Sequence, residues 1–294
     1  MAKRKILFII NPISGGKNKL FLPDLIKKIL NKYDFEIEIS FTQSQGHATE
    51  LAQDAVMQEF DIVAAVGGDG TVNEVVRGLI NTNTVLTIVP FGSGNGLARH
   101  LQIPLNIKKS IEFINTAKIK RIDCGYLNNN LFANMAGTGF DAHVGKLFLD
   151  HKKRGFLTYV KITLNEFLNY KAQDYELEID GKKIERNAFL ISFANSTQYG
   201  NNAHIAPAAS VEDGLLDVCI LKTFPVLDMP NLAYRLFTKT VDKSKYVEIF
   251  KGQKITVKRS KKGAVHLDGE PYEMDTNLEI EVKPQSLWVM HQCG

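Results

Sequence analysis

Cysteine is scarce: the 294 residues contain three, Cys124, Cys219 and Cys293, with no C-x-x-C pair. That spacing excludes a disulfide framework or a cysteine zinc site as the organising element, and a reducing compartment is expected. Long apolar runs are absent too. No segment reaches the ~18 residues that cross a bilayer. The apolar stretch Ile6–Ile10 near the N-terminus is too short for the core of a secretory signal. Neither sign of charge dominates, with 36 Lys+Arg against 32 Asp+Glu and a net +4. This suits an anionic ligand or membrane surface without demanding one, and nothing in it calls for nucleic acid. Two phosphate-binding signatures are missing as well: no GxxxxGK[ST] and no GxGxxG occurs, so neither a Walker A loop nor a dinucleotide fingerprint is supported.

What is present is 44% apolar residues, enough for a sizeable core. The length suggests about two domains. Up to about residue 124, short β-rich runs alternate with helical ones. Strands are expected at 5–10, 35–41, 61–66 and 85–90, and helices at 18–31, 47–58 and 71–80. Such alternation points to an α/β domain with a parallel sheet over 1–124. Later the texture is β-rich, and a β-sandwich domain is expected over 125–285. Asp180-Gly181 sits between two strand runs in 174–195 as a hairpin turn. Short strands are expected at "GLLDVCIL", "KITVKR", "GAVHLDGE", "NLEIEVK" and "SLWVM". Only 155–170 and 226–239 look helical there, and Phe156, Leu157, Val160, Leu164, Phe167 and Leu168 are expected to line the core. Residues 286–294 are candidates to return to the first domain.

Each strand-to-helix junction of the first domain carries glycine or small polar residues. They are Asn11 to Gly16, Thr42 to Gly46, Gly67-Gly68-Asp69-Gly70-Thr71, and Gly92-Ser93-Gly94-Asn95-Gly96. In a parallel sheet these junctions share the carboxyl edge, where ligands bind. Glycine lets backbone N–H groups turn toward an anion. Thr71 with Glu74 has the spacing of a capping box, which predicts a helix start at Thr71 and a positive helix end beside the loop. Asp69 is the anomaly, a carboxylate where phosphates are expected. It can hold Mg²⁺, orient an attacking hydroxyl, or satisfy its own turn.

"VGGDGTVNEVVRGL" and "PFGSGNGLARHL" resemble the diacylglycerol kinase catalytic domain family, which includes bacterial lipid kinases, sphingosine kinases and ceramide kinases. "NPISGGK", "NMAGTGFDAHV", "NSTQYGNNAHIAPAASVEDGLLDV" and "HLDGEP" extend the resemblance over almost the whole chain, in the family's order. The resemblance implies an ATP-binding α/β domain, a β-sandwich domain and an active site in the cleft between them. It implies nucleotide contacts from Asn11, Thr42, Gly67, Gly68, Asp69, Gly70, Thr71, Asn73 and Ser93. It also implies a Mg²⁺ site at Asp213 and the carbonyls of Ser210 and Leu215, and a proton acceptor at Glu270. Both Asp69 and Glu270 are candidate catalytic carboxylates, with Glu270 preferred as base. Asp213-Gly214 and Asp268-Gly269 also read as plain turns.

The fourth loop departs from the G-T-A-N-D of many bacterial members and lies closer to the sphingosine kinase pattern. Asp141, with His143 nearby, is the candidate substrate contact. The implied activity is transfer of the ATP γ-phosphoryl to a lipid hydroxyl, with a diacylglycerol-like substrate preferred. A sphingoid-base or ceramide kinase, a kinase of a soluble compound such as NAD, and a non-enzymatic lipid-binding protein are the alternatives. Lys152-Lys153-Arg154, Lys258-Arg259 and Lys261-Lys262 are candidate contacts with anionic lipid. Cytoplasmic residence with transient membrane contact, and a homodimer, are the corresponding expectations.

Overall fold

The computed structural model describes residues 3–16, 18–31, 33–150 and 156–292. Lys152-Lys153-Arg154 therefore lies outside the described residues, as do the side chains of Phe156, Leu157 and Val160. The chain divides into two compact units, residues 1–122 with 285–294, and residues 123–284.

The first unit alternates strands and helices: β1 (Arg4–Ile10), α1 (Leu22–Ile29), β2 (Phe35–Phe41), α2 (His47–Met57), β3 (Ile62–Gly67), α3 (Asp69–Leu79) and β4 (Val85–Pro90). Two short helices follow, α4 (Gly96–His100) and α5 (Ile107–Phe113), and β5 (Lys118–Leu127) leads out of the unit. The strands pair in parallel in the order β2-β1-β3-β4. The interior strands β3 and β4 are buried along their whole length. Continuous apolar runs are what a parallel sheet with covered faces requires. Helix α1 starts four residues later than the sequence suggests, with Pro23 in its first turn, where a missing N–H costs nothing.

The second unit opens with β6 (Asn130–Phe132), β7 (Met135–Gly139), α6 (Phe140–Asp150) and α7 (Phe156–Phe167). Then come β8 (Gln173–Ile179), β9 (Lys182–Ala188), β10 (Leu190–Ala194), β11 (Gln198–Gly200), β12 (Ala203–His204), β13 (Leu216–Leu221) and α8 (Met229–Phe237). The last strands are β14 (Val247–Gly252), β15 (Lys254–Arg259), β16 (Gly263–Leu267), β17 (Glu270–Met274) and β18 (Asn277–His291). One sheet runs β14-β13-β10-β7-β16-β17. The other contains β9, β8, β15 and the first part of β18, paired antiparallel. Their facing apolar side chains, among them Phe193, Val218, Tyr175 and Val257, form the sandwich core.

Four expectations need correction. Residues 174–195 form three strands, because Phe189 breaks the pairing and β10 joins the other sheet. Residues 140–150 form a helix that the sequence reading missed; its glycine-rich lead-in masked the apolar spacing of Phe140, Val144 and Leu147. Leu164 and Leu168 are exposed, whereas Phe167 packs against the apolar cluster around Phe189. "NLEIEVK" and "SLWVM" are one continuous strand, β18. Its first part belongs to the second unit, and its last part pairs in parallel with β4 through Val289 and Leu86.

Candidate active site

The glycine loops of the first unit follow the carboxyl ends of β1, β3 and β4. Two of them are tied together by one side chain. The Asp69 carboxylate accepts the Asn95 N–H at Oδ2 (2.9 Å) and the Gly96 N–H at Oδ1 (2.8 Å). Asn95 closes the fourth loop in turn, accepting the Gly92 N–H at 2.9 Å and donating to the Gly92 carbonyl at 2.7 Å. The glycines serve this junction directly. A Cβ on Gly92 would stand 2.7 Å from the Gly68 Cα and 2.8 Å from Asn95 Oδ1. The close approach that strips side chains from around Asp69 is thus first an approach of one loop's backbone to another's.

Helix α3 begins at Asp69, with Gly68 as its cap residue and no capping side chain. The expected capping box does not form, because Thr71 already lies inside the first turn. Asp69 at the helix start complements the positive helix end. Glu74 instead accepts the Ala48 N–H at 3.2 Å, at the start of α2, whose own cap residue is Gly46 and has no side chain to offer. The Asn11 amide donates to Thr71 Oγ1 at 3.0 Å, joining the first loop to the third. Thr42 is buried, with its N–H on the Ile10 carbonyl at 2.9 Å. Asn73 is buried within α3, while Ser93 is exposed at the loop tip. Gly67, Gly68, Asp69, Gly70, Thr71 and Asn11 are therefore brought together; Thr42, Asn73 and Ser93 flank them.

Lys19 was not singled out by sequence. It is buried, donates to the carbonyls of Pro12 (3.3 Å) and Ser14, and lies over the Phe91 ring. Burial pushes its ammonium below the ordinary lysine range. Its charge holds the first loop closed from behind.

In the second unit Glu270 opens β17, part-exposed, and accepts from the Tyr272 hydroxyl at 3.3 Å. The preceding Asp268-Gly269 is the hairpin turn, both residues having positive φ. Asp268 does more than turn the chain. Its buried carboxylate accepts the N–H groups of Ala133, Asn134 and Met135 at 2.8, 2.8 and 3.0 Å. The local D-G pattern carried no signal of those partners, which are more than 130 residues away. Asp123 is a further buried carboxylate that sequence reading passed over; it accepts the Gly214 N–H at 2.7 Å. Its signal was a carboxylate in the second, buried half of β5, after the cations Lys118, Lys120 and Arg121.

Asp141 stands in a polar cluster beneath α6. Its Oδ2 lies 3.0 Å from His266 Nε2, 3.3 Å from the Tyr199 hydroxyl and 3.4 Å from Ser192 Oγ. Its Oδ1 accepts the Ala142 N–H at 2.8 Å. His143 is not part of this cluster and pairs with Glu166 at 2.8 Å.

In the segment around Asp213 the carboxylate already has partners within the protein. Asp213 Oδ2 is paired with the Lys251 ammonium at 2.8 Å, and Oδ1 accepts the Leu215 N–H at 3.1 Å. Lys251 also lies 3.5 Å from the buried Asp217. Its bond to Asp213 raises the Lys251 pKa, so it stays charged. The Ser210 hydroxyl is taken up by the Glu212 N–H at 3.2 Å. Among the described residues no cluster of three or more His, Cys, Asp or Glu side chains could hold a metal.

Two family models match the chain: the diacylglycerol kinase catalytic domain over residues 5–127, and the YegS C-terminal NAD kinase beta sandwich-like domain over residues 134–291. A diacylglycerol kinase of Bacillus subtilis is 30% identical over 280 residues, spanning 91% of this chain and 90% of that protein. One from Staphylococcus saprophyticus is 27% identical, spanning 91% and 89%. A crystal structure of a diacylglycerol kinase from Bacillus anthracis has the same fold, with a TM-score of 0.77 at 22% identity over 99% of this chain and 98% of that one.

Proposed function

Since the chain belongs to the diacylglycerol kinase catalytic domain family and is a lipid kinase, we propose that it transfers the γ-phosphoryl group of Mg²⁺-ATP to the free hydroxyl of a diacylglycerol-like lipid. The observation that carries the nucleotide half is the junction of the two glycine loops through Asp69. It fixes a set of backbone N–H donors at the head of α3 before any ligand arrives. Phosphoryl transfer passes through a loose transition state, so rigid placement and charge neutralisation carry most of the catalysis. In this reading the nucleotide would bring Mg²⁺, which would supply charge neutralisation. Asn11, Thr42, Gly67, Gly68, Gly70, Thr71, Asn73 and Ser93 form or flank the phosphate cradle. Asp69 acts through the loops it joins. Glu270 accepts the hydroxyl proton as the oxygen bonds to phosphorus and ADP departs, a step worth roughly 10²–10⁴-fold.

A neutral hydroxyl lipid is favoured over a sphingoid base by the setting of Asp141. The carboxylate that would read an ammonium head group already faces His266, Ser192 and Tyr199. The Asp213 segment is assigned a structural role with Lys251 as its cation. The test is incubation with labelled ATP, Mg²⁺ and separate diacylglycerol, ceramide, sphingoid-base and NAD substrates. Labelled phosphatidic acid as the main product is expected. Labelled sphingoid-base phosphate or NADP in its place would overturn the substrate assignment, and no labelled product from any of them would overturn the function.

A further inference from the structure

At one end of the sandwich in the second unit is a cavity of about 660 Å³ whose charged lining is mostly cationic. It is separate from the Asp141 cluster. Thr138 and Gly139 of β7 line the cavity, whereas Gly137 lies against His266 and Asp141, and none of Asp141, Ser192, Tyr199 and His266 is in the lining. The floor is set by Arg259, a residue whose type suggests a surface charge but which is only 5% exposed. Its guanidinium donates to Thr138 Oγ1 at 2.7 Å and to the carbonyls of Gly263, Ala264, Met274 and Asp275 at 2.7–3.2 Å. Every one of these acceptors is neutral, and among the described residues no carboxylate is ion-paired with it. Asp275 and Glu273 act on it only from beyond ion-pair distance, so a buried charge satisfied by neutral acceptors leaves a positive potential in the space above it.

Three lysines share that space, Lys171 from the segment before β8, and Lys261 and Lys262 from the turn between β15 and β16. All three are exposed, and among the described residues none forms an ion pair or hydrogen bond; Lys262 acts at longer range on Glu273, which is itself paired with Lys146 at 2.8 Å. By contrast, Lys258 nearby is paired with Glu176 at 3.7 Å. The acidic lining residues are otherwise engaged: Glu166 is bound by His143, and Asp174 accepts from Asn187 at 2.7 Å. Tyr170 contributes an apolar ring wall.

We propose that this cavity is an anion site, in which Lys171, Lys261 and Lys262 close on a phosphate group carried by a ligand that is neither the nucleotide nor the lipid hydroxyl. Lysine ammonium groups serve phosphate as mobile point charges, and Arg259 supplies a fixed positive field without spending a donor. The volume lies within the range of small-ligand pockets and accepts a phosphoglycerol head group as well as a free phosphate. The ligand is either a soluble phosphate compound or the head group of an acidic phospholipid.

The test uses the full chain at low salt, with the double variant Lys261→Ser/Lys262→Ser, the single variant Lys171→Ser, and Lys182→Ser/Lys183→Ser on the β8–β9 turn as a control of equal charge loss. Calorimetric titration with inorganic phosphate and with glycerol 3-phosphate is one arm. Co-sedimentation with phosphatidylcholine vesicles containing phosphatidylglycerol is the other. We expect at least a tenfold loss of affinity in the cavity variants and less than twofold in the control. Loss in the soluble arm identifies a free phosphate ligand; loss in the vesicle arm alone identifies a head group. Absence of wild-type binding in both arms, cavity variants within twofold of wild type in both, or an equal loss in the control overturns the proposal.

Discussion

At the scale of single residues, the two candidate carboxylates have different surroundings and should fail differently. Asp69 spends both oxygens on backbone N–H groups of another loop. An asparagine there keeps one acceptor and turns an N–H₂ toward the other donor. Asp69→Asn should therefore weaken nucleotide binding as well as turnover. Glu270 accepts from the Tyr272 hydroxyl at 3.3 Å within its own strand and braces no glycine loop, and Glu270→Gln should keep nucleotide affinity while lowering kcat. Calorimetric nucleotide binding and steady-state rates on both variants decide it. An Asp69→Asn enzyme that binds ATP normally but is dead, beside an active Glu270→Gln, would exchange the roles. Gly92→Ala probes the loop contact itself. Its new methyl group must push the Gly68 backbone away, so we expect a loss of about 1–3 kcal/mol in thermal or urea unfolding together with a raised KM for ATP. An unchanged KM would separate this contact from the nucleotide cradle.

At the scale of elements, much of the first unit was legible because period-2 and period-3.6 patterns are local properties. β2 and β4 fall where the sequence places them, and β1, β3 and α2 differ by a residue at one or both ends. What was not legible is partnership across the fold. Thr71 and Glu74 have capping-box spacing, but Glu74 serves another helix, which only the packing of α2 on α3 could reveal. Glu74→Ala should cost about 0.5–2 kcal/mol, the usual range for a lost cap, read from chemical unfolding followed by circular dichroism. A change below that range would mean water replaces the carboxylate at α2. On β14, Glu248 carries Lys222 at 2.5 Å and Arg186 at 2.8 Å. The hydrogen bond from Lys222, followed by that from Arg186, holds its carboxyl below the ordinary value of 4.5. A carboxyl depressed by folding adds stability above its unfolded value and loses it as pH falls through the folded one. Glu248→Gln should thus unfold earlier than wild type at pH 7, with the gap closing as pH drops below 4.5. Unfolding midpoints across that range test it; a gap that persists in acid would assign the loss to packing.

At the scale of the whole molecule, none of the described helices is long and apolar enough to cross a membrane, and the proposed lipid substrate makes the membrane surface the place to test for contact. The basic clusters predicted for that role are not equivalent. Arg259 is buried and Lys258 is ion-paired, which leaves Lys261 and Lys262 as the exposed pair at that turn. Vesicle binding should rise with anionic lipid and fall with salt, each charge near the surface contributing about 1 kcal/mol. Binding indifferent to both would mean these lysines are ordinary solvated surface.

The dual membership of β18 has a consequence for synthesis on the ribosome. Val289, paired with β4, is made after the whole second unit, and Leu287, Val289 and Met290 are fully buried in the first unit. About 160 residues of the second unit are translated between the departure of the chain from the first unit and its return. At roughly 5–20 residues per second, the nascent first unit waits about 8–30 s with the flank of β4 uncovered. An open strand edge invites pairing with other chains. Pausing before residue 285 should thus favour aggregation, whereas the second unit can mature on the ribosome while its neighbour is still incomplete.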